Sequence, residues 1–182
     1  MSQVIGLLTG AIGAGKTTVA QRVAVLAREQ GRTCGGLLAP AILDGTGHKV
    51  GIWGIALPNG ERRVLAHIEH DLGGPTVGPY SFDAAAVAWA VDSIESAVGH
   101  CDLLIVDEIG RLELESNGGL APTLARLTTA EAQRWLLLVR ESLLVKLQDR
   151  LGKMRPIVFE VTVGSRDGLP AQVLACLLSQ AR

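Results

Sequence analysis

The sequence has no surplus of charge of either sign: 17 lysines and arginines stand against 18 aspartates and glutamates, a net of −1, and no basic run is present. That excludes the electrostatic footprint expected of a protein that binds DNA or RNA directly. Long apolar runs are also missing, since none approaches the ~20 residues that a bilayer crossing needs. The first ten residues, "MSQVIGLLTG", lack the basic start and long apolar core of a secretion signal. The expectation is a cytoplasmic protein with neither a membrane nor a nucleic acid as partner. Cysteine is scarce: Cys34, Cys101 and Cys176 are odd in number, far apart and outside any zinc-ligand spacing, so neither a disulfide nor a structural metal is expected.

What the chain does have is apolar mass and glycine. Of its 182 residues 48% are hydrophobic and 22 are glycine, a balance that suits buried strands joined by tight turns. The length predicts one domain over 1–182. "VIGLLT" reads as a short buried strand, and the helix after it places Val19, Val23 and Leu26 on one face until Gly31. The Asn59-Gly60 pair between "HKVGIWGIAL" and "RRVLAHI" predicts an antiparallel hairpin, roughly 46–68. "LGGPTVGPY" (72–80) reads as loop, and a helix follows with Ser81 or Asp83 as its cap. "DLLIVDEIG" (102–110) has the continuous apolar pattern of a central parallel strand. Two further strand and helix pairs follow, "RWLLLV" with "ESLLVKLQDRLG" and "PIVFEVTV" with "LPAQVLACLLSQ". Strands alternating with helices predict an α/β fold, a mainly parallel sheet covered on both faces, with the hairpin inserted.

The stretch "GAIGAGKTT" carries the chemistry. Gly10, Gly15, Lys16 and Thr17 satisfy G-x-x-x-x-G-K-[ST] at a junction of strand and helix. A polyphosphate needs several donors converging on it, and consecutive backbone N–H groups converge only where side chains do not obstruct a curled chain. Gly10, Gly13 and Gly15 remove that obstruction, with Ala11, Ile12 and Ala14 between them and Thr18 closing the stretch. Lys16 then bridges the β- and γ-phosphate oxygens as a point charge, and the Thr17 hydroxyl is a ligand for Mg2+. The substrate read from this loop is a nucleoside triphosphate, ATP or GTP, because the loop reads phosphates and not the base. Downstream, four apolar residues lead to Asp107 and Glu108. Asp107 is placed to orient Mg2+ or a water, and Glu108 to accept a proton from attacking water, a pairing that favours hydrolysis.

Four blocks, "TGAIGAGKTT" (9–18), "VGPY" (77–80), "DEIGRLEL" (107–114) and "SRD" (165–167), together resemble the small P-loop nucleoside-triphosphatases first described from thermophiles, a family with a human cancer-related member. The resemblance implies a P-loop NTPase three-layer fold of the RecA-like and ABC-like branch. It also implies slow, Mg2+-dependent hydrolysis of ATP, GTP and other nucleoside triphosphates, with Glu108 as general base and Asp107 supporting the metal. The family pattern ends in Glu-Asn-Arg before the last helix. Here Gly164 and Ser165 precede Arg166, and the hairpin lacks the acidic and arginine residues expected of it, so the chain reads as a divergent branch.

Several residues admit two readings. Arg140 ends the strand "RWLLLV" where the phosphates should lie, either sensing the γ-phosphate or stabilising transition-state charge, or else pairing at the surface with Glu141 or a neighbouring carboxylate. Arg166 is assigned to the nucleotide, or else to a turn held by Asp167. Arg111 and Glu113 either shape the site or are exposed charges at a helix start. Tyr80 either stacks on a base, closes the pocket or packs its loop. His67 and His70 lack a third ligand in the sequence, so a metal there is disfavoured. Trp53, Trp89 and Trp135 are expected in the core. These residues together read as a nucleoside-triphosphatase. A P-loop kinase with its acceptor near 72–80 is the first alternative, and a nucleotide-gated module recruiting an unknown protein partner is the second. Arg150 and Arg155 are the sparse candidates for a kinase's arginine lid.

Overall fold

The computed structural model describes residues 3–127 and 133–179. Its centre is a ten-stranded sheet. Strand β1 (Val4–Thr9) has all six residues buried, because helices cover the sheet on both sides. Helix α1 (Lys16–Glu29) turns Val19, Ala20, Val23, Ala24 and Ala27 inward. Then come β2 (Cys34–Leu38), β3 (Ala41–Leu43), β4 (Lys49–Ala56), β5 (Arg62–His67), β6 (Thr76–Val77) and β7 (Tyr80–Phe82). Helix α2 (Ala84–Ala97) is capped by Asp83, whose carboxylate accepts the Ala86 amide at 2.9 Å. Strand β8 (Leu103–Ile109) leads to the short helices α3 (Arg111–Glu115) and α4 (Ala121–Arg126). Strand β9 (Arg134–Val139), a 3-10 turn over Glu141–Leu143, α5 (Leu144–Leu151), β10 (Ile157–Glu160) and α6 (Leu169–Ser179) complete the order. The expected end of the last helix at Gln180 lies outside the described residues.

The strands run β10-β1-β9-β8-β2-β4-β5-β7-β6, with β3 paired to β4. The first five are mutually parallel. From β2 to β4 the pairing turns antiparallel and stays so through β5, β7 and β6. Alternate residues of the parallel strands feed opposite layers. Leu7, Leu104, Val106, Leu137 and Val139 pack with α2, α4 and α5, while Leu8, Leu103, Ile105, Leu136 and Leu138 pack with α1 and α6. This is the three-layer α/β fold of P-loop NTPases. One strand, β9, separates β1 from β8, and that separation decides the geometry of the site.

Two expectations are corrected. Residues 72–80 are not simply loop: Val77 pairs with Tyr80 across the two-residue turn Gly78-Pro79, which makes β6 and β7 an edge hairpin. The glycines and prolines there mark a tight turn and strand ends that need no ladder donor, which composition alone does not distinguish from loop. Of the tryptophans only Trp135 is fully buried; Trp53 and Trp89 are half-buried, capped by the guanidiniums of Arg62 at 5.2 Å and Arg63 at 4.9 Å. The stacked arginines cover the rings where the sheet extension runs out of core. Among the described residues no helix is long and apolar enough to cross a membrane.

Candidate active site

The phosphate loop leaves β1 at Gly10, whose φ of 151° and whose approach to the Val161 carbonyl, 2.6 Å from where a Cβ would stand, admit glycine alone. It enters α1 through Gly15 at φ 99°, and no side chain caps the helix. The first amides of α1 therefore remain without intrahelical partners and point into the loop. Lys16 is buried, and its ammonium donates to the Gly10 carbonyl at 2.9 Å and the Ala11 carbonyl at 3.0 Å. It is folded across the loop like a clasp. Burial holds its pKa below the ordinary lysine value, with Glu108 and Asp107 acting in the opposite sense and Arg140 adding to the depression. A polyanion compensates a desolvated ammonium in such a place.

Asp107 and Glu108 sit at the carboxyl end of β8, on the same sheet end as the loop. Asp107 is almost fully buried, and its carboxylate accepts the Ala39 amide at 3.0 Å. Burial pushes its carboxyl up to about 6, with Glu108 adding to the rise, while the Ala39 amide, the Thr17 hydroxyl and Lys16 only partly oppose it. Two hard oxygen donors, Thr17 and Asp107, thus lie together with negative charge incompletely compensated, a donor set that fits Mg2+.

That shift has a measurable consequence. An aspartate titrates near ~3.9 in the unfolded chain, so the folded protein binds more protons between pH ~4 and ~6. This contribution to stability is therefore present at low pH, is lost as pH rises through that window, and is constant above it. In metal-free buffer, Asp107→Asn is expected to remove up to about 3 kcal/mol of this decline. Urea unfolding of both proteins from pH 4 to 7 checks it, and parallel curves would disprove the shift.

Arg140 ends β9 between the loop and the acids. The Glu141 amide donates to the Gly10 carbonyl at 3.4 Å, tying this strand end to the loop's first residue. Its guanidinium Nε donates to Glu108 Oε1 at 2.5 Å. Arg140 thus does pair with a neighbouring carboxylate, but that carboxylate is Glu108, the acid assigned to catalysis, and not Glu141. Glu113 is buried and not an exposed helix-start charge: Oε2 accepts the Gly110 amide at 2.8 Å and Oε1 the Leu120 amide at 3.0 Å. It binds the two ends of the α3 turn and so fixes the wall behind Glu108. Its carboxyl is held above the usual range by burial, despite both amides.

Arg166 is exposed, in the turn after β10 beside the loop, and Asp167 pairs with Arg22 at 3.0 Å, not with Arg166. Tyr80 lies on β7, on the opposite flank from this turn, and lines a cavity with Glu108, Arg111 and Arg140. Of the lid candidates, Arg150 is held by Asn117 at 2.8 Å, and Arg155 precedes β10 at the far end of the sheet from the loop. His67 and His70 do have a third neighbour: Glu69 brings its ligand atom within 4.8 Å of theirs. His67 Nδ1 already accepts the Glu69 amide at 3.1 Å.

Lys49, at the start of β4, was missed by sequence reasoning. It lines the same cavity with its ammonium 5.4 Å from the Tyr80 ring, and desolvation lowers its pKa while Glu108 raises it. No local motif announces it, because the antiparallel extension alone brings it to the acids.

A family profile described as NTPase matches residues 6–174. The nucleoside-triphosphatase THEP1 of Methanopyrus kandleri is 36% identical over 174 residues, 94% of each chain. That of Thermofilum pendens is 32% identical over 168 residues, 92% of this chain and 91% of its own. The solution structure of a human cancer-related nucleoside triphosphatase superposes with a TM-score of 0.75 at 22% identity, covering 98% of this chain and all of its own. The crystal structure of THEP1 from Aquifex aeolicus does so with 0.71 at 18%, covering 96% and 98%. At those identities the two structures speak for the fold.

Proposed function

The chain belongs to the NTPase family, enzymes that hydrolyse nucleoside triphosphates, and on that premise we propose that it cleaves the β–γ bond with Mg2+ held by Thr17 and Asp107 and with Glu108 as general base. The observation that carries this reading is the meeting of Lys16, Asp107, Glu108 and Arg140 at one sheet end, from the start of α1, the end of β8 and the residue after β9. Residues 10–18 bind the phosphates through their amides, and Lys16 leaves the Gly10 and Ala11 carbonyls for the β- and γ-oxygens. Thr17 and Asp107 would hold the Mg2+, which when bound would supply neutralisation of phosphate charge. Glu108 orients water and takes its proton. Arg140 first occupies Glu108 Oε1, an oxygen that would otherwise face the water; turning to the γ-phosphate, it both frees the base and offsets charge in the transition state. Because the base starts in an ion pair, turnover is slow. Arg166, beside the loop on the β10 flank, is the proposed contact for the rest of the nucleotide.

Phosphate release from ATP, GTP, CTP and UTP tests the reading. Rates within about tenfold of one another are expected, since phosphate-directed donors do not read the base, and EDTA should lower all of them by roughly tenfold or more. Unchanged rates in EDTA would remove the metal from the mechanism.

A further inference from the structure

On the proposed reading the nucleotide takes one flank of this site, and a cavity lies on the other. On the β10 side, Thr18 at the end of the phosphate loop lines a groove with Arg22, Asp167 and Pro170, the flank on which Arg166 is proposed to contact the rest of the nucleotide. On the β8 side, beyond Glu108, lies a cavity of about 330 Å³ between the antiparallel extension, α2 and the α3–α4 turn. Its apolar lining includes Ile52, Leu65, Phe82, Val87, Leu112 and Leu120, and its polar lining includes Glu108 and Arg140, which pair with each other, and Lys49. A hydrolytic water needs only about 30 Å³. This space is an order of magnitude larger and apolar-walled, the dimensions of a small-molecule site.

Attack on the γ-phosphorus comes from the side opposite the departing diphosphate, which is the Glu108 side, where the cavity opens. Resting on the reading of Glu108 as base, we infer that the cavity is the site of a second substrate, a small alcohol with an apolar body of on the order of a dozen non-hydrogen atoms, whose hydroxyl takes the place of water. In the transfer, the alcohol oxygen bonds to the γ-phosphorus while the bond from that phosphorus to the β–γ bridging oxygen breaks. The bridging oxygen keeps the electron pair and leaves on the nucleoside diphosphate, and the alcohol proton passes to the Glu108 carboxylate and on to solvent. The product is a phosphate monoester. Lys49, which forms no ion pair among the described residues, faces the charge that this product acquires. The Tyr80 ring beneath its ammonium, with Phe82 on the same strand, closes the wall.

The test uses [γ-32P]ATP, Mg2+ and a panel of benzyl alcohol, 2-phenylethanol and cyclohexylmethanol, with toluene as the control that lacks a hydroxyl. Product separation distinguishes labelled ester from inorganic phosphate. At least one alcohol is expected to divert about a tenth or more of the label into ester, and toluene none. Val87→Trp, which fills the cavity from α2, is expected to keep phosphate release in alcohol-free buffer within about twofold and to lose ester formation by about tenfold or more. If its circular dichroism shows a folding failure, Val77→Trp at the half-exposed rim replaces it. Continued phosphate release with no ester from any alcohol overturns the acceptor site and leaves hydrolysis standing, and so does ester formation that survives the filled cavity. Absence of phosphate release without alcohol overturns the hydrolytic reading instead.

Discussion

Glu108→Gln is expected to bind nucleoside triphosphate with a dissociation constant within about threefold of the parent and to release phosphate 10²- to 10⁴-fold more slowly, roughly the range a positioned general base contributes. The amide is isosteric with the carboxylate and keeps an oxygen for the Arg140 Nε–H, so the 2.5 Å contact that orients both side chains has a substitute. It has no basicity with which to take a proton from water. Binding is spared because the donors to the phosphates come from residues 10–18, on the other side of β9. Isothermal titration with a non-cleavable ATP analogue and single-turnover phosphate release separate the two effects. Full release by the variant would refute the role of this carboxylate, and loss of binding together with release would show that its part is electrostatic rather than chemical.

Lys16→Ala is expected to weaken binding of the same analogue by about 10²- to 10³-fold, since one charged donor to a polyphosphate in a partly desolvated loop is worth about 3–4 kcal/mol. The free protein loses less. Of the two carbonyls that accept from the ammonium, that of the exposed Ala11 can turn to water, and that of the buried Gly10 keeps the Glu141 amide at 3.4 Å. Thermal unfolding without nucleotide should therefore change far less than affinity. Lys16→Arg should not restore binding, because the site is buried around a compact ammonium and a planar guanidinium needs a different cavity. Affinity within threefold of the parent in Lys16→Ala would sink the phosphate assignment of the loop.

Both effects concern residues that the sequence already singled out. The reason is that a phosphate cradle is built by consecutive amides, so its parts are neighbours along the chain and its spelling is local. The same holds for Asp107 and Glu108, which share one strand end. Glu113 is a partial case: "EIGRLEL" announced a helix start, but a carboxylate that reaches back to Gly110 and forward to Leu120 reads in one dimension as one more exposed charge. Residues 72–80 are another, since a two-residue hairpin turn has the composition of a loop.

The sequence by itself determined the cradle, the buried strands and the class of chemistry, because each follows from residues adjacent in the chain or repeating with a strand or helix period. Only the tertiary structure decided what surrounds them. Arg140 meets Glu108 across 32 residues because β9 is inserted between β1 and β8. Lys49 and Tyr80 reach the acids because the sheet turns antiparallel after β2 and folds its extension toward α2. Strand order and pairing sense are relations between distant segments, set by which apolar faces can be buried together, and no local pattern encodes them.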